Sequence, residues 1–403
     1  MKSRTRPNYA DTDNSTRPHG MKRSNALTGH ERMALTLPSL TGLRWMAAFL
    51  VFGLHLHLIA YFADGILARG LKLVFGAGAT GVSFFFILSG FVLMWANSRG
   101  GASRWTTFWW RRLARVYPAH LATALVALLL FAVWQPGIVP SVVPAAANLL
   151  LVHAWWPDPA FYQSINSVSW SLACEAFFYA VFPLLVAGLT RGGRRTACLV
   201  AGGSVAALWV GPVAALRVAS PESVGWFFQW TPPGRLSEFV LGVALARLVA
   251  LDAWPRRLDR LTTYPVAATV LVAGYVAASH VPAPYKYAGC TAVGFGLLIV
   301  AAARGDLRAE PSLWRRPAVV RLGELSYAFY LVHMIVVFVL ALVVGEHPRL
   351  DAGRGILLTM ATLLLALGSA WVLHELVERP ARTLLLGLPT VRRRRPEVPR
   401  QRM

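Results

Sequence analysis

The sequence predicts an all-α polytopic membrane protein: a bundle of about ten transmembrane helices with both termini in the cytoplasm. Three observations carry this. Of the 403 residues, 56% are hydrophobic and only 14% are charged, whereas soluble domains carry about 25% charged residues. The apolar residues gather into runs long enough to cross a bilayer. The 40 Lys and Arg fall mostly in the short loops between those runs, and on alternate sides.

Taken in order, the runs lie near 43–63, 79–97, 119–135, 169–189, 196–216, 235–251, 264–280, 288–303, 325–345 and 355–377. With the N-terminus inside, the cytoplasmic segments 1–44, 97–118, 190–195, 247–263, 304–324 and 379–403 hold 33 of the 40 Lys and Arg, and the outer segments hold 7. This bias fixes the orientation and predicts a multi-pass protein of the plasma membrane. The stretch 141–156, "SVVPAAANLLLVHAWW", is too short and too proline-flanked to span, so it reads as re-entrant or interfacial. The chain therefore divides into a disordered basic cytoplasmic tail (1–36), a transmembrane domain (37–385) and a second basic tail (386–403).

Several classes of function are excluded. A pI of 11.1 suggests nucleic acid, but no basic stripe is interleaved with stacking aromatics, so no nucleic-acid partner is expected. Cys174, Cys198 and Cys290 all sit in apolar segments without a CxxC, which indicates neither a disulfide framework nor a zinc site, and no metal is expected. No internal repeat of the kind found in many transporters is visible.

Ionisable side chains inside apolar runs are functional candidates, because each costs free energy unless it faces protein or water. In "LTGLRWMAAFLVFGLHLHLIAYF" (40–62) these are Arg44, His55 and His57. Arg44 and His55 are eleven residues apart, about 20° from perfect alignment on a helix, with His55 about 16 Å deeper. His57 points nearly the opposite way. In "SWSLACEAFFY", a helix starting at the outer surface near Ser169 puts Glu175 about 9 Å below it, close to the depth expected for His55. The expectation is a dyad in which the Glu175 carboxylate orients the His55 imidazole as a general base. The bland alternative is a pair that merely holds two helices together.

In "FWWRRLARVYPAH", one helical turn would present Arg112 and Arg115 together, as phosphate ligands or as ordinary cytoplasmic retention charges. In "GVSFFFILSGFVL", Ser89 and Gly90 interrupt an apolar run, for close helix packing or close approach of a ligand. Arg235 and Glu238, three apart, most simply pair with each other. In "GELSYAFYLVHMIV", Ser326, Tyr330 and His333 share one face, with His333 near the midplane. "HELVERP" (374–380) is not the HExxH zinc motif.

Arg44-x10-His55, "FFFILSGF", "RRLARVYP", "SWSLACEAFFY" and "LSYAFYLVH" together resemble, in order and spacing from Leu37 to Pro380, the acyltransferase-3 family of integral membrane O-acyltransferases. The short, Arg- and Ala-rich form is similar to small actinobacterial members that acylate macrolides or cell-envelope glycans. The resemblance implies transfer of an acyl group, usually acetyl, from acyl-CoA to a hydroxyl of a sugar, glycan or natural product, with no bound cofactor. It implies that Arg44 and His55 are required, and it maps the arginine motif to Arg112 and Arg115 and the helical acid to Glu175. In that scheme Arg112 and Arg115 hold the acyl-CoA phosphates, with Arg44 at the cavity mouth. His55 deprotonates the acceptor, Glu175 orients it, and Ser89 or Tyr330 is available as oxyanion donor. His333, from its position on the helix, reads either as a polar lining of that cavity or as a packing residue. The rival reading is a proton-coupled glycan or lipid transporter with His55 and Glu175 as a proton relay.

Overall fold

A computed structural model describes residues 37–100, 104–286 and 288–387. The two predicted tails, 1–36 and the chain beyond 387, lie outside the described residues. Ten helices of fourteen residues or more organise the described chain: α1 (Pro38–Leu58), α2 (Thr80–Gly100), α3 (Trp105–Trp134), α4 (Trp170–Arg191), α5 (Arg194–Ala215), α6 (Leu236–Ala250), α7 (Tyr264–Ala277), α8 (Ala288–Leu307), α9 (Pro317–Val344) and α10 (Ala352–Leu373). They correspond one for one to the apolar runs of the sequence. Eight helical stretches are long and apolar enough to cross a membrane. The exceptions are α6 and α7, with 15 and 14 residues. Among the described residues the extended structure is a single bridge, Phe62 to Leu350.

Proline opens α1 and α9, where its missing N–H costs nothing and its φ suits the first helical turn. The start of α1 meets the end of α8: Ser39 donates through its backbone N (2.8 Å) and its hydroxyl (2.7 Å) to Asp306. We call this the basal end. At the distal end the chain just beyond α1 pairs with the α9–α10 connection, Ala63 N donating to Leu350 O at 2.8 Å. The two contacts set α1 antiparallel to α8 and place the α9–α10 connection at the opposite end from the start of α1.

At the centre, α2 and α6 pack with their backbones in contact. A methyl group at Gly90 would collide with the Phe239 carbonyl, and one at Gly242 with that of Ile87. Small residues permit such close approach where helix packing, not water, drives association. Gly90 is therefore a packing glycine. The outer faces of α5, α7 and α10 expose Leu199, Val210, Val272, Leu364 and Leu365, an apolar perimeter suited to lipid.

Two boundaries differ from expectation, and both move the site. Helix α1 spans 38–58, not 43–63, so His55 lies in its last turn. Helix α3 begins at Trp105, not 119, so the arginine motif belongs to the helix itself and does not precede it.

The segment 142–169 does not cross. It forms the eight-residue helix Val142–Leu149, an exposed stretch around 155–160 with the short helix Pro159–Tyr162, and buried turns at 164–166. Asn148 Nδ2 donates to the carbonyl of Ser164 (2.7 Å) and lies 3.1 Å from Ser169 Oγ. Asn166 Nδ2 reaches Leu331 O at 2.8 Å, and Leu331 is the fifteenth of the 28 residues of α9. The segment therefore dips to mid-bundle, which accords with the re-entrant reading. Leu151 and Ile165 adopt left-handed φ values of 58° and 59°, strain that the surrounding hydrogen bonds hold in place.

Candidate active site

The distal part of the site is a pair of histidines. Helix α9 presents His333 toward the last turn of α1, where its Nε2 lies 2.9 Å from His55 Nδ1. The other nitrogen of His333, Nδ1, is 3.2 Å from the Phe329 carbonyl. A carbonyl only accepts, so Nδ1 of His333 carries the hydrogen and Nε2 is its lone-pair nitrogen. His55 Nδ1 must then be the donor, and His55 Nε2 is left as an unprotonated base. The His55 ring is also hydrogen-bonded to the Val51 carbonyl one turn back, so two backbone carbonyls, those of Phe329 and Val51, fix the tautomers of the pair. His333 is fully buried against Phe52, Phe329 and Tyr330, while His55 is half-buried. His57 turns elsewhere, within electrostatic reach of Lys72.

The basal part is a cluster of charges. Arg44 lies within electrostatic range of Arg115, Glu378, Glu175 and Tyr179. Arg112 interacts with Arg115, Tyr179, Arg382 and Glu175. Four elements converge here: α1, α3, α4 and the chain after α10. Arg44, Arg112, Arg115, Glu175 and Tyr179 all keep partial exposure although they lie on inward-facing parts of their helices. They border open space, not a closed core. A groove of about 500 Å³ between α3 and α4 runs beside them, with Arg112, Tyr179, Trp110 and Tyr117 among its walls.

The expected Glu175–His55 dyad is not formed. Glu175 accepts a hydrogen bond from the Tyr179 hydroxyl at 3.0 Å, and its charged neighbours are Arg115, Arg44 and Arg112. The depth estimate failed for a physical reason. It started α4 at the outer surface, but the re-entrant segment starts it mid-bundle, where Ser171 Oγ lies 3.0 Å from the Tyr330 hydroxyl of α9. Four residues further on, about 6 Å along the helix, Glu175 has reached the arginines. The partner of His55 is His333.

The remaining candidates divide. The Ser89 hydroxyl interacts with Tyr179, which places it in the basal cluster. Tyr330 is committed to structure: its hydroxyl donates to Val168 O at 3.0 Å, beside Ser171. It therefore has no hydrogen left for an oxyanion. Ser326 is likewise occupied, donating to Gly323 O at 2.7 Å. Cys174 is buried with its thiol directed at the Trp230 carbonyl (3.6 Å). No three His, Cys, Asp or Glu among the described residues are grouped to hold a metal.

Sequence reasoning missed Tyr179, Tyr327 and Glu378. Tyr327 donates to Val116 O at 2.8 Å and lies within electrostatic range of Glu175 and Glu378. The signal was available: Tyr179 is four residues from Glu175, one helical turn. Arg235 and Glu238 do pair, at 2.6 Å, and both are buried. Arg235 also donates to Ser83 Oγ and Gln229 O, and its guanidinium lies over Phe86 at 5.1 Å. This places a satisfied buried ion pair beside the α2–α6 contact.

The His55–His333 pair and the cluster of arginines about 16 Å away along α1 are the two polar centres of the bundle. The comparisons with known proteins name the class. Residues 37–375 match the acyltransferase-3 model, described as an acyltransferase domain, and the chain belongs to that family of membrane acyltransferases. It is 36% identical over 371 residues to Acyltransferase MdmB of Streptomyces mycarofaciens, a match covering 87% of this chain and 92% of that protein. It is 31% identical over 163 residues to O-acetyltransferase OatA of Staphylococcus aureus (strain NCTC 8325 / PS 47), covering 37% of this chain and 24% of that protein. No solved structure matches it.

Proposed function

We propose that this acyltransferase moves an acetyl group from acetyl-CoA to a hydroxyl of a sugar, glycan or macrolide-like acceptor in the plasma membrane, with the basal end in the cytoplasm. The observation that carries the reading is the relay from the Phe329 carbonyl through His333 to His55, which leaves His55 Nε2 as the free base. The name of Acyltransferase MdmB supports acyl transfer, and that of O-acetyltransferase OatA supports acetyl as the group and oxygen as its acceptor. The 33-to-7 distribution of Lys and Arg supports the orientation.

Acyl-CoA is anionic and too polar to cross lipid, so its phosphates belong at the arginines. Arg44 and His55 lie about 16 Å apart along α1, a distance suited to a thin pantetheine arm threaded into the bundle. There the acceptor O–H gives its proton to His55 Nε2 as the oxygen attacks the thioester carbonyl. The tetrahedral intermediate collapses, the C–S bond breaks, and the CoA thiolate takes the proton back from Nε2. His333 accepts from Nδ1 throughout and shares the imidazolium charge. Glu175 and Glu378 moderate the repulsion among the arginines.

Purified protein in nanodiscs, given radiolabelled acetyl-CoA and a panel of macrolides and muramyl glycans, tests this. The expected result is free CoA together with label in the acceptor. A proton-coupled transporter would release no CoA.

A further inference from the structure

The motif "HELVERP" and the chain behind it stand apart from the chemistry so far. Residues His374–Glu378 form a π-helical turn between α10 and a short helix, Arg379–Gly387. Such turns insert one residue and re-aim the side chains around it, often at functional sites. Here Glu378 is buried, bonded to His374 Nδ1 at 2.9 Å and within electrostatic range of Arg44. The short helix is held across the base of α3, with Trp110 Nε1 donating to Leu385 O at 2.9 Å. Trp110 lies within one helical turn of Arg111 and Arg112, so the same contact brings the short helix to the arginine motif.

The two arginines of that helix behave differently. Arg379 pairs with Glu375, which also binds Arg321. Arg382 is exposed, has no carboxylate or carbonyl partner among the described residues, and lies within electrostatic range of Arg112. Arg112 is itself incompletely satisfied, since its Nε is buried without a hydrogen-bond partner. Four cations, Arg44, Arg112, Arg115 and Arg382, thus face two carboxylates, Glu175 and Glu378. Two positive charges are left over at a partly desolvated mouth. Such an excess is unfavourable unless a polyanion occupies it.

We infer that Arg382 is a further donor-binding residue, which takes the outermost phosphate of CoA, the ribose 3′-phosphate, while the half-buried arginines take the diphosphate. This rests on acyl-CoA being the donor. The assignment follows from depth. With the thioester at His55, the pantetheine arm places the diphosphate near Arg44, and the adenosine end projects past it to the exposed rim where Arg382 stands.

Calorimetric binding of CoA, dephospho-CoA and pantetheine to the full-length protein, wild type and Arg382→Ala, tests the inference in phosphatidylcholine nanodiscs and again with phosphatidylglycerol added. The wild type should prefer CoA to dephospho-CoA by roughly tenfold, the scale of one charge-assisted pair. Arg382→Ala should lose that preference, bind pantetheine unchanged, and regain part of the preference as Arg382→Lys. An undiminished preference in Arg382→Ala overturns the inference, as does an equal loss for all three ligands. A wild-type preference that disappears when phosphatidylglycerol is added would assign Arg382 to a lipid headgroup instead. A wild-type protein that binds no CoA at all would remove the donor assignment itself, a separate outcome.

Discussion

Replacing His333 tests the relay at its most exposed joint. In His333→Ala the His55 ring loses its side-chain acceptor and keeps only the Val51 carbonyl, and the imidazolium formed during proton transfer loses a charge-assisted hydrogen bond. Such a bond is worth about 1.5–3 kcal/mol. With about 1.36 kcal/mol per factor of ten in rate, turnover should fall roughly 10- to 150-fold. The donor Michaelis constant should stay unchanged, because His333 is far from the arginines. His333→Ala also opens a cavity against Phe52, Phe329 and Tyr330, so His333→Gln serves as companion: its carbonyl oxygen can still accept from Nδ1. Steady-state release of CoA, alongside thermal unfolding in detergent, reads both effects. Turnover should recover severalfold in His333→Gln. Wild-type turnover in a folded His333→Ala would refute the relay, and so would a loss as complete as that in His55→Ala, which would make His333 the base.

Four other outcomes are expected. His55→Ala abolishes transfer while His57→Ala keeps substantial activity; equal losses would erase the distinction drawn from their opposite faces. Arg112→Ala or Arg115→Ala raises the Michaelis constant for acetyl-CoA far more than that for the acceptor, because phosphate grip is shared by ground and transition states; unchanged kinetics in the folded fraction would leave these arginines a purely topological role. Glu175→Gln keeps the hydrogen bond to Tyr179, so turnover should change by less than about threefold, whereas a loss of about 10²-fold or more, the scale of lost general-base help, would return it to His55. Arg235→Ala strands Glu238 as a buried charge, which costs about 3–5 kcal/mol; an unshifted unfolding temperature would contradict the burial of the pair.

Hydropathy and charge bias made most of the fold legible, because apolar runs and loop arginines record the bilayer directly. They located all ten long helices, whereas the grouping of Arg44 with Arg112 and Arg115 was implied only by the family resemblance. They placed the start of α4 near Ser169, its N-cap, but did not show the depth at which that start lies. Its start is set by side-chain to backbone bonds from Asn148 and Asn166, which leave no periodic trace in the sequence. That one error in depth led to pairing Glu175 with His55. His333 was visible as a cavity candidate near the midplane, but a contact between α1 and α9, 278 residues apart in sequence, has no local signature. The Arg235–Glu238 pair was legible from its i, i+3 spacing, whereas its burial depended on Phe86 and Trp170 closing over it.

The central claim is acyl transfer by His55 from a donor held at the arginines. It is tested most directly by counting both products at once, free CoA and acetylated acceptor, in wild type and in a His55→Ala variant shown to bind CoA normally. The account predicts equal molar amounts of the two products in wild type and neither in the variant. Free CoA without acetylated acceptor, or full transfer by His55→Ala, would contradict it.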